Sequence, residues 1–101
     1  MVKLRSVHTP GAERRIQILK AVAHPVRLAV VTELAKRPLQ VNALAVALGV
    51  AQAVVSQQLR ILRMAHLVAV QRGGGRARYT LAEPHLRVLL KCMDRCCADL
   101  R

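Results

Sequence analysis

The chain has 101 residues, enough for one small core and too few for two. Seventeen Lys and Arg stand against five Asp and Glu, a formal charge of +12 that far exceeds what solubility asks of so small a domain and points to a polyanionic partner. An apolar share of 53% comes with a single aromatic residue, Tyr79, so Leu, Val, Ala and Ile must supply the packing, which suits closely approaching helices.

Thirteen of the seventeen cations are Arg, whose planar fork matches phosphate and guanine better than a Lys point charge does. A membrane surface would attract the same charge. The opening stretch MVKLRSVHTPGAERR lacks the apolar core of a secretory signal, and nowhere do about 18 apolar residues run together. A cytoplasmic protein is expected, with Cys92, Cys96 and Cys97 kept as thiols; their odd number also argues against a disulfide framework.

Residues 1–11 carry charge, Pro10 and Gly11 without a period and read as a mobile basic arm, leaving residues 12–101 as the folded domain. From Ala12 to Ala23, Ile16, Leu19, Val22 and Ala23 recur at helical spacing. His24-Pro25 breaks that helix and opens a second, which runs to about Lys36 with Leu28, Val31, Leu34 and Ala35 inward and is closed by Pro38. A short helix follows, with Val41, Leu44, Ala45 and Leu48 inward, ending at Gly49, a residue suited to a left-handed turn. Three residues on, AQAVVSQQLRILRMA forms another helix. Val55, Leu59 and Leu62 face in, and Gln52, Ser56, Gln57, Arg60 and Arg63 lie on the other side. Two helices joined by a tight glycine turn, the second with a polar face, make a helix-turn-helix. Val68 and Val70, then Ala77, Tyr79 and Leu81, alternate around three glycines as a β-hairpin bearing Arg72, Arg76 and Arg78. A last helix runs from Glu83 to Leu100 with Pro84 in its first turn.

The stretches AHPVRL, LGVAQAVVSQQLRILR and GRARYTL together make residues 16–100 resemble the ArsR/SmtB family of winged-helix repressors. The resemblance implies a mainly α fold of about five helices with a two-stranded wing, and a homodimer formed through the first and last helices. It also implies a prokaryotic repressor of double-stranded operator DNA, many of whose relatives release DNA when a metal, metalloid or oxidant reaches their cysteines or histidines. Binding DNA itself requires no cofactor. In that setting Gln52, Ser56 and Gln57 reach base edges in the major groove, Arg60 and Arg63 meet phosphates, and Arg72, Arg76 and Arg78 on the wing straddle the backbone and minor groove. Three positions depart from the family pattern. Ala51 and Ala53 stand where a hydroxyl is common, which removes a helix cap worth about 1 kcal/mol, and His66 stands where glycine is usual, a place His tolerates better than most residues if the backbone is left-handed.

An arsenite site of the Cys-x-Cys type is absent, since Gln40 and Asn42 occupy its positions and amides are poor ligands for soft ions. A second family site on the last helix keeps its spacing here as Glu83, His85, Cys96 and Asp99, with one His replaced by Cys and the ligands shared across a dimer. Such a mixed set suits zinc, cadmium or cobalt. At about 100° per residue, His85, Cys92, Cys96 and Asp99 fall within an arc of about 60°, whereas Cys97 lies with Leu86, Leu90, Met93 and Leu100 on the apolar stripe and reads as a small buried hydrophobe. Arsenite or antimonite would call on Cys92, Cys96 and Cys97 together. An oxidant or sulfur donor could act on the same thiols beside Lys91 and Arg95. The rival readings are a constitutive, sequence-indifferent DNA-binding protein and an enzyme; the second has little support, because no nucleophile sits in a recognisable motif and RGGGRAR lies between strands rather than opening a helix.

Overall fold

The structure is a computed structural model and describes residues 9–98. Residues 1–8 of the expected arm, together with Asp99 and Leu100, lie outside that range. Seven elements follow in order: α1 (Pro10–Val22), α2 (Pro25–Lys36), α3 (Val41–Leu48), α4 (Gln52–Met64), β1 (Val68–Gly73), β2 (Arg76–Leu81) and α5 (His85–Ala98). The expected helix-turn-helix, hairpin and final helix are all present. The first helix starts two residues before the expected Ala12, because the Thr9 hydroxyl accepts the Ala12 N–H at 3.1 Å and caps it.

Local chemistry sets the boundaries. The imidazole Nδ1 of His24 accepts the N–H groups of Val26 and Arg27 at 3.1 and 3.4 Å, capping α2 in front of Pro25. Arg37 is extended (φ −170°, ψ 158°), as a residue before proline tends to be, and α2 stops there. Gly49 takes the left-handed conformation (φ 63°) and closes α3 with its N–H near the carbonyls of Ala45 and Val46. The three-residue turn bends α3 and α4 by 113°, within the range of a helix-turn-helix. At the hairpin tip Gly74 and Gly75 both have positive φ (59° and 75°), the two-residue turn whose twist matches its strands; Gly73 pairs with Arg76 inside the ladder.

Val30, Val31, Leu34, Leu44, Val55, Leu59, Leu62, Leu67 and Leu86 are all but sealed from solvent, each such side chain contributing roughly 1.5–3 kcal/mol. The hairpin is joined to the helices by a short bridge that the strand pattern does not announce. Leu39 and Tyr79 exchange backbone hydrogen bonds at 3.1 and 2.7 Å, and the Ala82 N–H donates to the Leu67 carbonyl at 2.9 Å. No single helix among the described residues is long and apolar enough to cross a membrane.

The stripe expected on the first helix is corrected. Its inward residues are Ala21 and Val22, with Ile18 half-buried, whereas Ile16 and Leu19 are 51% and 54% exposed and Ala23 is exposed. The domain offers α1 only one neighbouring face, so the apolar residues on its other side meet water in the single chain. Leu28 and Ala35 of α2 are half-buried, and Val30 takes the fully buried place beside Val31 and Leu34.

His66 is the sole non-glycine residue with positive φ (61°) among the described residues, at the tight turn from α4 into β1. A side chain there is strained relative to glycine. Replacing it, His66→Gly, is expected to raise unfolding free energy by about 0.5–1 kcal/mol after allowing for the added freedom of the unfolded chain, as measured by urea denaturation; equal or lower stability would show that the His side chain makes compensating contacts.

Candidate nucleic-acid interface and candidate metal helix

Because Val55, Leu59 and Leu62 are buried, the opposite side of α4 is left to solvent, and Gln52, Ser56, Gln57, Arg60 and Arg63 are all exposed there. Gln52 is the first residue of the helix, which no side chain caps: Ala51 occupies the cap position without a hydrogen bond to offer. The amides and hydroxyl of the first two turns can pair with base edges, and the two arginines follow one turn further along.

The register of the hairpin divides its cations. Arg72 pairs with Ala77, on the same face as Val70, Tyr79, Val68 and Leu81, so it extends from the tip of the inner, apolar side. Arg76 and Arg78 lie on the outer face opposite Gly73 and Gln71. Gln71, Arg72, Gly73, Arg76 and Arg78 line one cleft at the tip. All three guanidinium groups are exposed, and five cations on α4 and the hairpin meet no acidic side chain in a salt bridge among the described residues.

One polar residue of α4 escaped sequence reasoning. Gln58 is buried and accepts a hydrogen bond from Arg27 at 2.9 Å. The signal was available, since positions 55, 58, 59 and 62 form one helical strip and Gln58 is the polar member of an otherwise apolar row.

At the start of α5, Glu83, just before the helix, and His85, its first residue, come together. The Glu83 carboxylate accepts the His85 backbone N–H at 3.0 Å and the ring Nδ1–H at 2.9 Å. That arrangement leaves Nε2 as the ring's free ligand atom, the usual way in which a carboxylate orients a metal-binding His. The two hydrogen bonds from His85, first the ring and then the backbone, hold the Glu83 carboxyl below the usual glutamate range, with Arg14 adding a smaller attraction.

Cys92, Cys96 and Cys97 are all exposed and helical. The burial expected of Cys97 does not occur in the single chain: Leu86 and Leu90 are buried and Met93 half-buried, but the last turn of α5 has no neighbour to cover it. Among the described residues no three His, Cys, Asp or Glu side chains gather closely enough to hold a metal ion. Cys96 follows His85 by eleven residues, about 16 Å of helix rise, so these two cannot meet in one chain, and Cys92 and Cys96, one turn apart, supply only a pair. Asp99 lies outside the described residues.

Comparison with known proteins gives a consistent result. A family model described as "Bacterial regulatory protein, arsR family" matches residues 24–70. The HTH-type transcriptional regulator NmtR of Mycobacterium tuberculosis is 44% identical over 72 residues, covering 71% of this chain and 60% of its own length. The chain therefore spans about three fifths of that relative. The biofilm growth-associated repressor of Agrobacterium fabrum is 34% identical over 88 residues, covering 83% of this chain and 75% of that protein. Among solved structures, the homodimeric winged helix-turn-helix DNA-binding domain of Mb0332 from Mycobacterium bovis superposes with a TM-score of 0.75 at 26% identity, covering 93% of this chain and 88% of that one.

The Glu83–His85 pair makes a direct prediction. In a side-chain NMR titration the Glu83 carboxyl is expected to lose its charge at a lower pH than an ordinary glutamate, and His85→Ala is expected to move that midpoint upward. A group whose folded-state pKa is lowered adds stability above its unfolded pKa and loses it as pH falls through the folded value. An unchanged midpoint in His85→Ala would show that the ring does not donate to this carboxylate.

Proposed function

The chain belongs to the arsR family of bacterial regulatory proteins, and on that premise we propose that it is a dimeric transcriptional repressor. It holds operator DNA through α4 and the hairpin, and it leaves DNA when a thiophilic metal or metalloid binds the cysteine-bearing face of α5. The observation that carries the DNA reading is the exposed face of Gln52, Ser56, Gln57, Arg60 and Arg63 beside Arg72, Arg76 and Arg78 on the wing. A basic surface that merely tracked phosphate would have little use for two amides and a hydroxyl at the end of the helix that enters the groove.

Support for the dimer comes from Ile16, Leu19 and Val88, which are 51%, 54% and 61% exposed on α1 and α5, and from the homodimer of Mb0332. Pairing these helices would cover apolar surface that the single chain leaves wet. It would also bring the Glu83–His85 end of one α5 towards the cysteine end of an antiparallel partner. In this reading His85, Cys96 and Asp99 are ligands, Glu83 orients His85 or joins it, and Cys92 stands within reach on the same face. Cadmium and zinc accept imidazole, thiolate and carboxylate together, whereas arsenite and antimonite would need three thiolates, which a regular helix cannot converge from residues 92, 96 and 97 alone. The ligand acts by favouring the dimer geometry that fits DNA less well. Exposure of all three thiols also favours a second reading in which oxidation or sulfur transfer at Cys92 or Cys96 releases DNA.

The test begins by selecting duplexes of about 30 base pairs from a random library with the reduced protein, long enough for two half-sites a helical turn apart. Fluorescence anisotropy then compares a selected duplex with a scrambled one. Arg76→Ala and Arg78→Ala are each expected to lower the slope of log affinity against log salt by about 0.9, while Gln57→Ala is expected to cost about 1–3 kcal/mol on the selected duplex alone. Equal affinity for selected and scrambled DNA would favour the sequence-indifferent binder. Cadmium, zinc, arsenite, antimonite and peroxide are then added in turn. Release by cadmium that survives Cys97→Ser but is lost in Cys96→Ser supports the shared four-ligand site. Equal dependence on all three cysteines would instead indicate a thiolate trio, and release by peroxide alone the redox reading.

A further inference from the structure

Arg27, third residue of α2, spans three acceptors on two other helices. Its Nε donates to the Ala21 carbonyl at 2.6 Å and Nη2 reaches the Lys20 carbonyl at 3.5 Å, both in the last turn of α1. Its Nη1 donates to Gln58 Oε1 at 2.9 Å in the middle of α4. The last carbonyls of a helix have no partner within it and attract a cation; the rigid guanidinium plane then fixes the direction from α1 to Gln58. Gln58 is 9% exposed and is the only buried polar side chain among the described residues. An aliphatic residue there would complete the apolar row, so the polar pair contributes direction rather than burial.

A second tie lies seven residues further along. Arg14 of α1 donates from Nη1 to the carbonyl of Ala65, just past the end of α4, at 2.8 Å. A helix held at one point can pivot, whereas two ties about 10 Å apart along its axis fix its direction as well as its place. The helix that makes or receives both ties, α1, is also the one that turns Ile16 and Leu19 outward.

We infer that Arg27, acting through Gln58 and with Arg14 on Ala65 as the second tie, is a positioning residue that locks the direction of α4 to α1. The way two α1 helices meet then sets the angle and spacing at which two α4 helices reach DNA. This inference rests on the dimeric DNA-binding reading above. Neither Arg27 nor Gln58 needs to touch a base; their effect falls on Gln52, Ser56 and Gln57, which only a correctly pitched helix can bring to base edges together.

The test uses the full chain with three variants, Arg27→Met, Gln58→Leu and Gln58→Glu, each checked for cooperative melting and for the parent's oligomeric state. Affinities are measured for the selected duplex and its scrambled counterpart at one salt concentration. Gln58→Leu and Arg27→Met are expected to lower the selected-to-scrambled ratio by about tenfold while scrambled-DNA affinity stays within about twofold. Gln58→Glu, which keeps an acceptor for Arg27, is expected to retain the ratio. Should Arg27→Met fail to fold, the Leu and Glu variants at position 58 decide the matter without it. Retention of the ratio in Gln58→Leu overturns the inference, as does a parallel fall of both affinities with the folded fraction, which marks a merely structural pair. If the parent itself does not discriminate between the duplexes, the sequence-specific repressor reading falls and takes this inference with it; a discriminating parent with equally discriminating variants removes the inference alone.

Discussion

Val55, Leu59 and Leu62 are sealed against α2 and α3 in the core of the domain, and because a helix turns once in about 3.6 residues their burial leaves the opposite side of α4 nowhere to go but into solvent. Everything at the candidate DNA surface follows from that division. The glycine turn at Gly49 sets how sharply α3 and α4 diverge, and the Leu39–Tyr79 bridge fixes the wing to the helices. A core made almost wholly of Leu and Val allows this, since small side chains let five helices approach closely within a short chain.

The opposite end of the molecule obeys a different constraint. Helix α5 is anchored through Leu86 and Leu90, and the Arg87 guanidinium donates to the Ala35 carbonyl at 3.0 Å at the end of α2. Past Asp94 the helix has no covering element in the single chain, and all three thiols are exposed. His85 and Cys96 are separated by about three turns of α5, and among the described residues no three candidate ligands gather in one chain. The proposed four-ligand site therefore calls for a second copy of the chain, whereas the candidate DNA surface on α4 and the hairpin is exposed within each one.

Between the two ends, the arginines do work that net charge does not describe. Arg27 and Arg14 engage carbonyl groups and Gln58 inside the domain and Arg87 fastens α5, whereas the arginines of α4 and the hairpin are directed outward on one candidate surface. The charge of +12 thus combines an internal bracing with an external electrostatic field.

The element order, the glycine turn, the paired-glycine hairpin and the exposed face of α4 were legible in the sequence, because each depends on short-range periodicity or on a residue with a distinctive backbone preference. The left-handed His66 was foreshadowed only by the family resemblance, in which glycine is usual at that position. Other features depend on what lies next to an element, which periodicity does not encode. Of the apolar stripe of α1 only Val22 is buried: Ile16 and Leu19 are as apolar as Ile18 and Val22, and only the position of the neighbouring elements distinguishes them. Cys97 fell on an apolar stripe by angle, yet the helix has no neighbour at that height. Gln58 broke the pattern of its row visibly, but its partner lies 31 residues away on another helix. The sequence by itself determined which residues face together along each helix and strand, through the fixed geometry of the backbone. Only the tertiary structure decided which of those faces are covered and which polar groups meet, because burial and hydrogen bonding depend on neighbours distant in the chain.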